Sequence, residues 1–164
     1  MNGGDEIVIR PATPADAARM QPIEDELFGP ESWSREQIDH ELARLSVDRW
    51  YAVAERGAEV LGYVGIFLSP PDADVQTVAV SGLAQGTGVG RQLLAASIAE
   101  AWERGCNRIF LEVRSDNSAA LRLYEAAGFT RLGVRRQYYA DGTDAVNMRL
   151  RRHEPVPLSE VSDG

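Results

Sequence analysis

Apolar residues along this chain recur with two spacings, and the spacing changes several times. Ile7 to Arg10 reads as a short strand. Thr13-Pro14 follows, an N-cap with proline at the first helical position, and predicts a helix to about Leu27. Phe28-Gly29-Pro30-Glu31-Ser32-Trp33 breaks that helix, and Ser34 opens a second one, with Gln37 completing a capping box. Trp50 to Glu55 and Val60 to Leu68 predict a hairpin turning about Gly57. Ser69-Pro70-Pro71-Asp72 ends it, and Val75 to Val80 adds a third strand. A glycine-rich turn, Gln85 to Gly90, leads into a long helix ending near Arg104, where Gly105 suits the stop. Arg108 to Arg114 predicts a strand, and Asn117 caps a helix that ends at Gly128. Phe129 to Val134 and Ala145 to Leu150 predict two last strands.

Helices and strands therefore interleave, with neither repeat nor linker. The expected fold class is α/β in the α+β sense: a mixed, mostly antiparallel sheet with helices on both faces. Residues 75–114 would supply one parallel crossover. A single domain is expected over residues 1–150, with 151–164 as a flexible tail carrying Pro155, Pro157 and Ser159.

Composition narrows the class of activity. The chain has 164 residues, 44% hydrophobic and 26% charged, which suits one globular domain. Its longest apolar stretch, Leu61 to Leu68, is too short to cross a bilayer. The N-terminus carries Asp5 and Glu6 without an apolar run, so no secretory signal is expected. The single cysteine, Cys106, cannot form an internal disulfide, and a lone thiol fits a cytoplasmic location. Nothing in the sequence suggests a metal site. The net charge of -8 argues against nucleic-acid binding, which needs a basic surface. It would repel an anionic ligand at long range and either attract a cationic substrate such as an amine or simply keep the protein soluble.

The most informative stretch runs from Thr77 to Arg91, where a strand ends, glycines follow and a helix starts. Glycines let backbone N–H groups converge, and a helix N-terminus adds partial positive charge. Together they form a phosphate site that needs few basic side chains. A P-loop is excluded, because no Gly-Lys-Ser or Gly-Lys-Thr follows. For a dinucleotide fingerprint, Gly86-x-Gly88 is present and Glu112 lies near the distance of a ribose-binding acid, but the third glycine would fall at Arg91. Few further strand-helix units exist to build such a fold. A plain tight turn is the remaining alternative.

Gln85-x-x-Gly88-x-Gly90 resembles the Q/R-x-x-G-x-G/A signature of the GCN5-related N-acetyltransferases. The resemblance spans nearly the whole chain and is closest from Val75 to Met148, where it follows the RimI-type branch of ribosomal-protein alanine N-acetyltransferases. Its marks are Leu111-Glu112-Val113-Arg114, Asn117, Leu123-Tyr124-Glu125, Gly128-Phe129, Arg135-Arg136-Gln137-Tyr138-Tyr139, Asn147-Met148 and the upstream Trp33-Ser34. It implies acetyl-coenzyme A as co-substrate. The amides of Gln85, Gly86, Thr87, Gly88, Val89, Gly90 and Arg91 would hold the pyrophosphate. The strand residues Val78, Ala79 and Val80 would pair with the pantetheine arm by strand addition. This requires an open sheet edge near Val80. The sequence departs from the pattern at Thr87, where relatives often carry a basic residue, and at Ala84, where tyrosine is frequent. Phe28 to Trp33 exceeds the usual Phe-Pro-Trp. Gln76 sits near the place where other acetyltransferases carry an acidic base, with Asp74 the nearest acid.

Acetyl transfer needs a neutral amine, a proton acceptor and a proton donor for the departing thiolate. On the strand, Phe110, Glu112 and Arg114 share one face, so Glu112 is expected to be desolvated between apolar neighbours. It could equally be a surface glutamate or an ion-pair partner of Arg114. The resemblance implies that Glu112 is the proton acceptor and Tyr124 the donor, although the periodicity around Tyr124 also suits a core aromatic. Asn117 is a helix cap on local grounds, and the resemblance implies that it also touches coenzyme A. Trp33, Tyr138 and Tyr139 are expected to wall the acceptor site, with Arg135 and Arg136 on a solvated face.

The expected acceptor is a basic protein N-terminus, such as alanine on a small-subunit ribosomal protein, met by a monomer or weak dimer. The alternatives are a small amine such as a polyamine or drug, or coenzyme A binding without transfer. The presence of Glu112 and Tyr124 speaks against the last.

Overall fold

Local chemistry sets where the helices start. The Ser34 hydroxyl accepts the Gln37 N–H at 3.2 Å, and the Gln37 carboxamide oxygen accepts the Ser34 N–H at 2.8 Å. This reciprocal cap satisfies two donors that the first helical turn leaves without partners. Thr13 caps a single 3-10 turn over Pro14–Asp16, so the α-helix expected from Pro14 begins only at Ala17. In that turn the Asp16 carboxylate accepts the Thr13 backbone N–H at 2.8 Å and also binds the Arg10 guanidinium at 2.8 Å and 3.0 Å.

The computed structural model describes residues 6–153; of the tail expected over 151–164, Arg151 instead ends the last strand, and 154–164 lie outside the described residues. The elements in chain order are β1 (Ile7–Pro11), α1 (Ala17–Phe28), α2 (Arg35–Leu42), β2 (Arg49–Arg56), β3 (Glu59–Ser69), β4 (Asp72–Val80), α3 (Val89–Glu103), β5 (Arg108–Arg114), α4 (Ser118–Ala126), β6 (Thr130–Arg135) and β7 (Ala145–Arg151). β4 starts three residues earlier than its apolar run suggests. Ala73 and Val75 are buried there, while Asp74 faces out, so the alternation begins inside an acidic stretch.

All seven strands form one sheet in the order β1-β2-β3-β4-β5-β7-β6. Every neighbouring pair is antiparallel except β4 and β5, the pair joined by the α3 crossover. Successive residues of β2 divide between the two faces. Tyr51 and Val53 pack under α1 and α2 with Met20, Ile23, Ile38 and Leu42. Ala52 and Ala54 pack under α3 with Val89 and Leu93. Leu111, Val113 and Met148 meet α4 through Leu121 and Tyr124. The fold is thus the mixed, mostly antiparallel sheet with helices on both faces.

Two irregularities shape the centre of the sheet. Parallel pairing of β4 with β5 is confined to Asp72–Asp74 against Arg108–Phe110, and beyond it the strands diverge. Gln76 is a bulge, since Gly65 faces Thr77 and Ile66 faces Val75 with Gln76 between. Gly65 is required opposite that bulge, because a Cβ there would stand 2.2 Å from the Tyr51 ring.

Candidate active site

The divergence of β4 from β5 leaves the edge of β4 from Val75 to Val80 without a partner on that side, so the open edge expected near Val80 is present. A cavity flanks each side of the gap. One, of about 480 Å³, is lined by Val78 and Val80, by Gln85, Gly86, Gly88, Val89, Gly90 and Arg91 of the glycine turn, and by Asn117 at the start of α4. The other, of about 730 Å³, is lined by Trp33, Asp74, Gln76, Phe110, Glu112, Arg135, Tyr138 and Asn147.

In the first cavity the backbone carries the chemistry. The N–H groups of Gln85, Gly86, Gly88, Val89, Gly90 and Arg91 have no hydrogen-bond acceptor among the described residues. Gly86 and Gly88 sit at φ +80° and +89°, a region that side chains disfavour, and a Cβ on either would project into open space. These donors crown the N-terminus of α3, so they and the helix dipole favour an anion together. Asn117 caps α4 by accepting the Ala120 N–H at 3.1 Å, and its residue also lines the groove. Thr87 turns its hydroxyl to the Ala84 carbonyl. Ala79 packs on the opposite face under α1, which leaves only its backbone for a ligand at this edge.

In the second cavity two carboxylates and one guanidinium stand together. Phe110, Glu112 and Arg114 share a face of β5 as their alternation requires, but Glu112 is exposed rather than desolvated. Its carboxylate lies 3.1 Å from Arg135 Nε. An ion pair with Arg114 is excluded, because Arg114 engages Asp116, Asp141 and Glu31 instead. Asp74, on the facing strand, has no ion-pair or hydrogen-bond partner among the described residues. Its recessed position, and then the nearby Asp72 and Glu112 carboxylates, hold its carboxyl above the ordinary range even though solvent reaches it from the cavity.

Tyr124 is buried, packed edge-on to Phe129 with ring centroids 5.8 Å apart. Burial first, and Tyr139 second, push its phenol up to about 12. Tyr139 is close enough to both candidate groups to interact with them electrostatically. Burial, then the Glu112 charge, raises its own phenol, and its ring meets Tyr138 edge-on at 5.1 Å and the Arg114 guanidinium at 4.9 Å. Trp33 and Tyr138 line the cavity; Tyr139 does not, and meets it only through its contact with Tyr138. Cys106 is buried, its thiol raised by burial and directed at the Asp72 carbonyl, as suits a structural side chain.

Three arrangements escape the sequence reading. Arg135, expected on a solvated face, reaches Glu112. Its route is open because Gly133 occupies the row formed with Asn147 and Glu112 and has no side chain to block it. The Trp33 backbone is clamped at both ends. Its N–H donates to buried Glu24 at 3.0 Å, and its carbonyl accepts from Gln21 at 2.9 Å. Gln76 is reached by the Tyr51 hydroxyl at 3.3 Å, itself held by Glu41 at 2.9 Å. Only the Glu24 to Trp33 clamp had a sequence signal: a carboxylate on the apolar face of α1.

The model of the acetyltransferase (GNAT) family matches residues 18–129. N-alpha-acetyltransferase RimI of Mycobacterium tuberculosis is 40% identical over 157 residues, 92% of this chain and 96% of the relative. The [ribosomal protein bS18]-alanine N-acetyltransferase of Escherichia coli K12 is 43% identical over 82 residues, 48% of this chain and 55% of the relative. The crystal structure of the ribosomal-protein-S18-alanine N-acetyltransferase from Escherichia coli superposes with a TM-score of 0.82 at 27% identity, covering 92% of this chain and 97% of that one.

Proposed function

The chain belongs to the GNAT acetyltransferase family, and from that premise we propose that it acetylates the α-amine of a protein N-terminus, with an alanine-starting ribosomal protein in the cytoplasm as acceptor. The observation that carries this reading is the gap between β4 and β5, flanked by an anion cradle on one side and a carboxylate-bearing cavity on the other. The relatives named above are by name an N-alpha-acetyltransferase and a ribosomal protein bS18-alanine N-acetyltransferase, and the likeness to the first covers 92% of this chain.

The residues of the first cavity fit acetyl-coenzyme A. Free amides at Gln85, Gly86, Gly88, Val89, Gly90 and Arg91 suit a pyrophosphate, and the unpaired edge at Val78–Val80 suits an extended amide-bearing arm. Bound there, the co-substrate supplies an acetyl group activated as a thioester.

The rest falls to the protein's own side chains. Glu112 accepts a proton from the acceptor's ammonium. An α-amine releases its proton near pH ~8, against ~10.4 for lysine, so a carboxylate suffices for it where a lysine would demand a stronger base. Tyr124 keeps its phenolic proton at neutral pH and offers it to the departing sulfur. Trp33 and Tyr138 wall the cavity where the acceptor's first residue is held.

The test is incubation with acetyl-coenzyme A and an alanine-starting basic peptide, with polyamines in parallel, followed by mass spectrometry. Acetyl addition at the peptide α-amine is expected. Thiol release without peptide turnover, or faster turnover of polyamines, overturns the reading.

A further inference from the structure

Glu112 is the group proposed to meet the acceptor's ammonium, yet a cation already faces it. Arg135 Nε stands 3.1 Å from Glu112 Oε1, and Glu112 has no second ion-pair partner among the described residues. The contact closes an ion pair without an aligned hydrogen bond, unlike Arg49 on Glu41, which is aligned at 2.8 Å. Arg135 is the last residue of β6, an edge strand exposed along its whole length. Its guanidinium also lies 5.7 Å from the Tyr138 ring centroid, so an aromatic face is at hand when the carboxylate is released. Arg114, the other cation near Glu112, is committed to Asp116, Asp141 and Glu31. Asp74 faces the same cavity from β4 without a cation of its own, and Tyr139 adds an uncharged phenol.

We infer that Arg135 is a positioning and specificity residue whose guanidinium occupies, in the free protein, the place on Glu112 that the acceptor's ammonium takes by exchange. The inference rests on the proposed N-terminal acetylation. A cationic acceptor lands beside unpaired Asp74, displaces Arg135 onto Tyr138 and gains Glu112. A neutral group such as an amide cannot make that exchange, so the pair filters acceptors by charge before any chemistry. The exchange is feasible because an exposed ion pair contributes little, and its loss shifts binding by about two- to fivefold.

Arg135→Gln and Arg135→Lys decide it, read by steady-state kinetics and by calorimetric binding of an alanine-starting peptide. With the competing cation gone, Arg135→Gln should lower the peptide KM and the peptide Kd by about two- to fivefold. The KM for acetyl-coenzyme A should stay in place. Arg135→Lys, which keeps a cation, should hold the peptide values near wild type. A peptide KM and Kd in Arg135→Gln equal to or above wild type overturn the exchange. Absence of turnover in the wild type overturns the proposed function alone, because peptide binding still reads whether Arg135 competes.

Discussion

As the proposed proton acceptor and donor, Glu112 and Tyr124 face different demands. A phenol held near 12 binds its proton about 3.5 pH units more tightly than an ordinary thiol at about 8.5. Complete transfer to a departing thiolate is therefore uphill by roughly 5 kcal/mol. A hydrogen bond to the developing charge is the contribution within reach, and such bonds amount to about 1.5–3 kcal/mol. Tyr124→Phe should accordingly lower kcat by about ten- to a hundredfold, less than the loss of a full general acid. An unchanged kcat discards the role. The sign of the pH dependence follows from the same shift. Because the phenol is raised, it stays protonated below about pH 11, so Tyr124 gives no descending limb there, and the rate should climb as the α-amine deprotonates near pH ~8. A descending limb near pH 9 that disappears in Tyr124→Phe would contradict it. Glu112→Gln removes the proposed proton acceptor outright. Its kcat should fall by about 10²–10⁴-fold while acetyl-coenzyme A binding holds, and turnover like the wild type at neutral pH refutes the assignment.

At the scale of elements, the turn before α3 is where backbone conformation and ligand chemistry coincide. Gly88 is the N-cap of α3 at φ +89°, and its amide is among those without an acceptor. A side chain there meets no protein atom within 4 Å, so its two effects separate. The left-handed conformation costs a non-glycine residue about 1–2 kcal/mol of stability, more for a β-branched one. Gly88 also lines the groove, so a bulky side chain there would compete with a ligand for its space. Gly88→Val should lower thermal stability modestly and abolish coenzyme A binding by calorimetry. A folded variant with normal affinity contradicts the placement of the pyrophosphate. Features of this kind were legible in the sequence because they are local: the capping box at Ser34, the glycines before α3, the Asn117 cap and the alternation of β5. Long-range placement was not. Spatially, β7 lies between β5 and β6, so nothing along the chain announces that Arg135 comes within reach of Glu112. The start of β4 hid in an acidic stretch, because Ala73 buries too little surface to mark a strand. Desolvation of Glu112 failed as an expectation because alternation assigns a face but does not say that the face borders an open cavity.

Over the whole molecule, the charge of -8 would act on the two proposed substrates with opposite sign. In the proposed reaction coenzyme A, a polyanion, would be met by uncharged amides and a helix dipole at short range, while the distant carboxylates would repel it. The proposed acceptor is a cation, and the cavity it would approach holds Asp74 and Glu112 against a single, exposed Arg135. Long-range fields of this size are screened as the Debye length contracts from about 30 Å at 0.01 M salt to about 8 Å at 0.15 M. Backbone contacts closer than that are barely affected. Salt should therefore move the two substrates in opposite directions. For a basic alanine-starting peptide, kcat/KM should fall by about three- to tenfold across that range, since steering enters through the encounter rate. The KM for acetyl-coenzyme A should fall slightly or hold, because screening relieves repulsion there. Titration of both constants against ionic strength, with a neutral small amine as control, reads the difference directly. If peptide and co-substrate weaken in parallel, the net charge serves solubility alone, and recognition of the acceptor is confined to the cavity itself.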